Sequence, residues 1–295
     1  MTEARWGAIE GGGTKFICAI GSGPEAIDKQ VRIDTRGPEE TLAEVVAFFQ
    51  GEGVAGLGLA MFGPLELRPG TSYGAMLSTP KPGWSGFPVR AYLAEALSVP
   101  VSVDTDVNAA ALAEQRWGAA RGLDPVVYIT VGTGIGGGVV THGQPLHGLM
   151  HPELGHLLVP ALRDGEGRVD DFEGVCPFHG RCLEGVASGP ALRKRLGHSA
   201  TELAPDHPLW VLEARYLAFG LMSTLLFLSP MRIVIGGGVM SIPHLLPRVR
   251  RELQEMLAGY VPRAEVIEGL DDFVVSPGLP VPGLSGAFAL AMLPA

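Results

Sequence analysis

Cysteine is scarce: three residues in 295, an odd count. That excludes a disulfide-stapled secreted scaffold and fits a reducing compartment. Aromatic residues make up 7% and charged residues 18%, yet 46% of the chain is apolar, which excludes wholesale disorder. Basic residues are the minority, 22 Lys and Arg against 31 Asp and Glu, for a net charge of -9. The only basic runs, Arg193-Lys194-Arg195 and Arg248-Val249-Arg250-Arg251, read as solvated helix faces. No nucleic-acid or anionic-lipid surface is expected. No run approaches the ~20 apolar residues of a membrane span, and the longest, Tyr216–Leu228, carries Gly220, Ser223 and Thr224. Met1–Trp6 is mixed and charged, unlike a signal peptide, so a cytoplasmic location is expected.

What the chain has in excess is glycine, 42 residues, roughly double the usual share. With no collagen period, these glycines do local backbone work. Three clusters each follow an apolar, strand-like run: Glu10–Lys15, Thr130–Gly138 and Gly236–Gly238. Glycine lets backbone N–H groups converge on phosphate oxygens, and a nearby Thr or Lys adds a donor or a charge. One such turn is commonplace. Three in the same context point toward a nucleotide. Gly132, Gly134 and Gly137 fit the dinucleotide pattern, but Val139-Val140-Thr141 follows as a strand where that motif requires a helix. No P-loop and no protein-kinase loop occurs.

The order of elements predicts a layered α/β protein. A β-hairpin spans Gly7–Ile20, and a helix opens at Pro38 with Leu42, Val45, Val46 and Phe49 on one face. A strand over Gly56–Met61, a functional loop over Glu66–Pro88, a helix over Val89–Leu97, a strand over Val101–Asp104 and a helix over Val107–Gly118 complete the first half. The second half restarts with a strand over Val126–Val131, a glycine turn over Gly132–Gly138 and a strand over Val139–Thr141. An irregular segment, Met150–Cys182, precedes helices over Gly189–Leu196 and His207–Leu228, a strand over Arg232–Ile235 and helices over Pro243–Leu257 and Leu284–Met292. Both halves open strand–glycine turn–strand, a duplication in topology but not in residues.

Two groups could carry chemistry. Asp106 sits where a strand end becomes a helix, so it reads either as an N-cap or as a general base that deprotonates a hydroxyl. Asp104 reads as structural. Cys176, His179 and Cys182 supply three zinc ligands at turn-compatible spacing, with His156 as fourth and His151 as the alternative. Cys18 reads as core. His151-Pro152-Glu153-Leu154-Gly155-His156 is not the metalloprotease helix, because Pro152 and Gly155 oppose one, and Glu153 is placed to accept hydrogen bonds from hydroxyls. His142, His147, His198, His207 and His244 read as ordinary surface or core histidines.

Taken in order, these motifs resemble the ROK family of bacterial sugar kinases over nearly the whole chain. The resemblance is carried by Glu10–Lys15, Thr105-Asp106-Val107-Asn108, Gly132–Gly138, Glu153-Leu154-Gly155-His156, the Cys176/His179/Cys182 cluster and Ile235–Met240. Thr79-Pro80-Lys81-Pro82-Gly83-Trp84 and Ala187-Ser188-Gly189-Pro190 look most like the family's short zinc-containing fructokinases. The resemblance implies a two-domain actin-like ATPase fold (hexokinase-type, ribonuclease H-like) with a cleft between domains. The N-terminal domain is expected over 1–117, with helix 284–295 packing back on it. The C-terminal domain is expected over 118–283, with a zinc segment at 150–184.

The implied activity is ATP-dependent phosphorylation of fructose at its 6-hydroxyl, with Asp106 as base and Mg²⁺ as the partner of ATP. Asn108, Glu153, His156 and Glu184 would bind sugar. Gly12, Gly13, Thr14, Lys15, Thr133, Gly134, Pro190, Gly236, Gly237, Gly238, Val239 and Met240 would bind ATP. The family's structural zinc would take His156, Cys176, His179 and Cys182. A homodimer is implied. The chain opens too close to its first glycine turn to carry the helix-turn-helix arm of the family's repressors, so no DNA binding is expected. The alternatives are a glucokinase, mannokinase or N-acetylmannosamine kinase and, in another class, a non-catalytic sugar and nucleotide sensor. The intact Asp106 counts against the sensor.

Overall fold

The structure is a computed structural model that describes residues 4–293. The first residues of the Met1–Trp6 reading and the last two of helix 284–295 lie outside the described residues. The chain divides into two compact units. One comprises Met1–Gly122, Gly138–Pro152 and Gly278–Ala295; the other comprises Leu123–Gly137 and Glu153–Pro277.

In the first unit, strands β1 (Trp6–Gly11), β2 (Lys15–Gly23) and β3 (Ala26–Asp34) lead into helix α1 (Pro38–Phe49). Strand β4 (Leu57–Met61), helix α2 (Val89–Leu97), strand β5 (Val101–Thr105) and helix α3 (Asp106–Arg116) follow. The sheet order is β3-β2-β1-β4-β5, with β1 antiparallel to β2 and parallel to β4, and β4 parallel to β5. Strand β3 is absent from the sequence reading. It is an edge strand whose side chains are nearly all exposed, so Asp28, Lys29, Gln30, Arg32 and Asp34 leave no apolar alternation to read.

Helix α1 starts on Pro38 and buries Leu42, Val45 and Phe49. Each such side chain contributes roughly 1.5–3 kcal/mol when fully buried. That face holds the helix, because the Arg36 pairs with Glu40 and Glu44 are exposed and screened by water.

The final helix, Pro282–Ala291, returns to the first unit and packs on α3, β4 and β1. It does so at backbone contact. A Cβ on Gly58 would lie 1.8 Å from the Ala287 carbonyl oxygen, and one on Gly286 would lie 2.3 Å from that of Ala109. The return is tied by Glu114, fully buried, whose carboxylate accepts N–H bonds from Ala119 (2.7 Å), Gly278 (3.0 Å) and Leu279 (3.1 Å).

The second half contains β6 (Val126–Val131), β7 (Ile135–Thr141), β8 (Gln144–Pro145), α4 (Leu183–Ala187), α5 (Gly189–Leu196), α6 (Leu209–Leu228), β9 (Arg232–Gly236), α7 (Leu245–Leu257), α8 (Ala264–Ile267), α9 (Leu270–Phe273) and β10 (Val274–Val275). The helix Pro282–Ala291 is α10. The sheet order β10-β9-β6-β7-β8 repeats the first sheet's order, and β9 is parallel to both β6 and β10. The duplication is therefore present as topology.

Two expectations change here. Gly136–Gly138 belong to β7 rather than to the turn, because the strand needs them bare: a Cβ on Gly137 would meet the Leu154 side chain at 2.0 Å, and one on Gly138 the Val107 carbonyl at 2.1 Å. That same approach groups Gly138–Pro152 with the first unit, where a contiguous break at 117 had put it in the other half. Helix α6 is also longer than its apolar run, starting at Leu209 ahead of Glu213 and Arg215. By length and composition it could cross a membrane. Here it packs on α7 and α4.

Candidate active site and metal centre

In the first unit, the turn between β1 and β2 is fastened from below. The Gly12 N–H donates to the Lys15 carbonyl (2.9 Å), the Thr35 hydroxyl to the Gly12 carbonyl (2.7 Å), and the Thr35 N–H to the Thr14 carbonyl (3.0 Å). Gly13, Thr14 and Lys15 are exposed. Glu10 precedes the turn, and its pKa is raised, first by burial and then by the charge of Asp106, with Lys15 opposing. Two carboxylates thus share one electrostatic neighbourhood beside the turn.

Asp106 is not the cap of α3. Thr105 holds that position, its Oγ1 accepting the Asn108 N–H at 3.2 Å. Asp106 is the first helical residue, where the positive end of the helix favours a carboxylate, and its Oδ1 accepts the Val107 N–H at 2.9 Å. Beneath it lies a buried polar network. Asp104 Oδ1 accepts the Thr105 N–H and the Asn108 side-chain amide, both at 2.7 Å, and Asp104 Oδ2 pairs with His147 Nε2 at 2.7 Å. Asn108 Oδ1 accepts the Val139 N–H at 3.3 Å. Both ends of the fully buried Asn108 amide are engaged within the fold, so the expected sugar contact gives way to support of the Asp106 turn.

His147, read from the sequence as ordinary, completes this network. Its pKa is raised, first by the hydrogen bond to Asp104. No local signal marks it, because its partner lies 43 residues away.

In the second unit, the ligand atoms of His156, Cys176, His179 and Cys182 all lie within 4.8 Å of one another. Cys176 Sγ is 3.7 Å from His156 Nδ1 and 3.7 Å from His179 Nδ1, and Cys182 Sγ is 3.6 Å from His156 Nδ1. Zinc–sulfur and zinc–nitrogen bonds of about 2.3 and 2.0 Å in a tetrahedron put unlike ligands about 3.5 Å apart. The donor set and its spacing fit such an ion. Burial, ahead of every other cause, pushes the Cys182 thiol up to about 11, so a cation is what would make it a thiolate at neutral pH. No disulfide joins the cysteines. His151 lies elsewhere, in the first unit, its Nε2 accepting the Leu65 N–H at 3.4 Å. His156 is the histidine at the cluster. Its Nδ1 faces the thiols, leaving Nε2 to point away from them, and Glu153, exposed, starts the same short turn, Leu154–His156.

The cluster is wired to the second glycine turn. Cys182 caps α4, accepting the Gly185 N–H. Two residues after that cap, Glu184 Oε2 accepts the Ile135 N–H at 2.9 Å and fills the space a Cβ on Gly134 would need. Glu184, expected at the sugar, uses this one oxygen to fix the turn Gly132–Gly134, in which Thr133 is exposed. The Gly189 N–H at the start of α5 donates to the Gly132 carbonyl at 2.8 Å, beside the exposed Pro190. The third turn follows β9. Gly237 has φ of +95° and lies so close to Val131 that a Cβ would meet its carbonyl at 2.4 Å, while the Val239 N–H donates to that carbonyl. Gly237 and Gly238 are exposed and Met240 partly so.

Comparisons with known proteins extend over nearly the whole chain. The model of the ROK family matches residues 6–293. The chain is 44% identical to a fructokinase of Zymomonas mobilis, covering 97% of this chain and 96% of that protein. It is 38% identical to a putative fructokinase of Bacillus subtilis, covering 97% and 94%. Among solved structures, a ROK hexokinase from Thermus thermophilus superposes with a TM-score of 0.72 at 30% identity, covering 97% of each chain.

The His147–Asp104 pair makes stability depend on pH with a definite sign. A folded pKa above the unfolded value gives stability that is complete below the unfolded pKa and lost as pH rises through the folded one. The melting-temperature gap between wild type and His147→Gln should be largest below about pH 6 and shrink as pH rises above the ordinary imidazole range. A gap that is constant or widens with pH would contradict the pairing.

Proposed function

The chain belongs to the ROK family, with the two-unit α/β architecture of the actin-like ATPases, and from that premise we propose that it transfers the terminal phosphate of ATP to the 6-hydroxyl of fructose in the cytoplasm. The observation that carries the reading is Asp106 at the positive end of α3, capped by Thr105 and underpinned by Asp104 and Asn108, on the unit that bears the Gly12–Lys15 turn. Full-length similarity to the Zymomonas mobilis fructokinase favours fructose among hexoses.

In this mechanism Asp106 accepts the proton of the sugar hydroxyl as its oxygen attacks the terminal phosphorus, and ADP leaves. The Gly12–Lys15 turn in the first unit offers N–H donors and the Lys15 charge to phosphate oxygens. In the second unit, Thr133 and Gly134, Pro190 and the Gly236–Met240 segment take the rest of the nucleotide. Mg²⁺ bound with ATP would supply screening of the phosphate charge, which a chain of net charge -9 needs. Glu153 and the Nε2 side of His156 bind sugar hydroxyls, and a zinc ion held by His156, Cys176, His179 and Cys182 would fix that ring. Asn108 and Glu184 support the turns that carry Asp106 and Thr133.

Asp106→Asn should lower kcat about 10²- to 10⁴-fold while changing the Kd for ATP by less than about twofold. Retained turnover would remove Asp106 as the base. Cys176→Ser should lower zinc content, measured by atomic emission, together with melting temperature. An unchanged metal stoichiometry would contradict the zinc assignment.

A further inference from the structure

The segment Thr79–Trp84 has no role in the reading above, yet it is built rigidly and ends on the phosphate turn. Lys81 to Trp84 form a β-turn, the Trp84 N–H donating to the Lys81 carbonyl at 3.2 Å. Pro82 and Gly83 occupy its centre, and Gly83 has φ of +79°. That combination is a type II turn, in which proline pre-sets one central residue and glycine alone suits the other.

Both ends of the turn are anchored. Trp84 is fully buried, stacks on Phe16 at 5.7 Å and donates its indole N–H to the Arg36 carbonyl at 2.8 Å. Ser85 Oγ accepts the Thr79 N–H and donates to the Thr79 carbonyl, both at 3.0 Å, which closes the arch over Lys81. Pro80 restricts the residue before it. The loop therefore has little freedom to lose on binding a ligand.

This rigid arch delivers one charged atom. Lys81 Nζ donates to the carbonyl of Gly13 at 2.5 Å, at the exposed tip of the β1–β2 turn. A bare carbonyl oxygen there would repel a phosphate. An ammonium on it reverses the sign of the local field, and it has three N–H donors, of which this contact uses one. Its charge is needed, because the acidic Glu10 directly precedes the turn.

We propose that Lys81 is a catalytic residue that contacts the terminal phosphate of ATP, holding it on the Gly13 turn as charge builds during transfer. The proposal rests on the kinase reading. It selects the terminal phosphate because Asp106 and this turn belong to one unit.

The test compares wild type, Lys81→Met and Lys81→Arg, using a non-hydrolysable ATP analogue and ADP as titrants alongside fructose kinetics and melting temperature. Lys81→Met should weaken the analogue and lower kcat/KM for ATP by about tenfold or more, with ADP affinity within about twofold and melting temperature unchanged. Lys81→Arg should recover most of the loss. Equal weakening of ADP and the analogue, or kcat/KM in Lys81→Met within about twofold of wild type, would overturn the proposal. A wild-type chain that binds neither nucleotide would overturn the kinase reading with it. A wild-type chain that binds the analogue through Lys81 but leaves fructose unphosphorylated would overturn the catalytic role and the substrate assignment, but not nucleotide binding.

Discussion

Backbone-to-backbone packing around α3 is the constraint from which the rest of the first unit follows. The Ala109 peptide meets Gly286, the Gly58 strand meets Ala287, and Gly138 lies on the Val107 carbonyl. At none of these points is there room for one more carbon. Such an interior tolerates no repacking, because each contact is set by peptide atoms rather than by side chains that could change rotamer. Helix α3 is thus held from the α10 side and the β7 side at once. A carboxylate that acted as a base would need its oxygen held to a fraction of an ångström, and Asp106 begins this closely packed helix.

The second unit solves a similar problem with ligand chemistry. Its glycine turn at Gly132–Gly134 is fixed by Glu184 from α4 and by the start of α5, and α4 in turn begins at a cysteine of the His156/Cys176/His179/Cys182 cluster. A metal there would brace the turn through two covalent steps of chain. It would also orient His156 without taking part in phosphate transfer. Zinc in this role would stand in for packing around an irregular, glycine-rich segment.

Much of this was legible in the residues, and the failures have physical causes. Helix α1 is readable because Pro38, Glu39 and the Leu42/Val45/Phe49 face obey independent local rules that agree. The three-ligand cysteine motif is readable because its spacing is local. The choice between His151 and His156 is not, since five residues of irregular chain decide which ring reaches the thiols. Strand β3 escapes because an exposed edge strand has no buried face to leave a pattern. Gly136–Gly138 look like a turn because a turn and a strand pressed against a backbone both select glycine. Asn108 and Glu184 sit in the right motifs, but only three-dimensional partners reveal that both ends of the Asn108 amide and one Glu184 oxygen are engaged inside the fold.

A base at the start of α3, glycine turns suited to phosphate and a histidine that a metal would brace make up the proposed hexose kinase. Its most direct test is ADP release by the purified chain with Mg-ATP and, in parallel, fructose, mannose, glucose and N-acetylmannosamine. Turnover with fructose is expected at a kcat/KM about tenfold or more above the other three, since hexoses differing at a hydroxyl are separated by whether the site's polar groups stay paired. Preference for another hexose would contradict the substrate assignment. No turnover with any of them, in protein that binds ATP and contains zinc, would contradict the kinase itself.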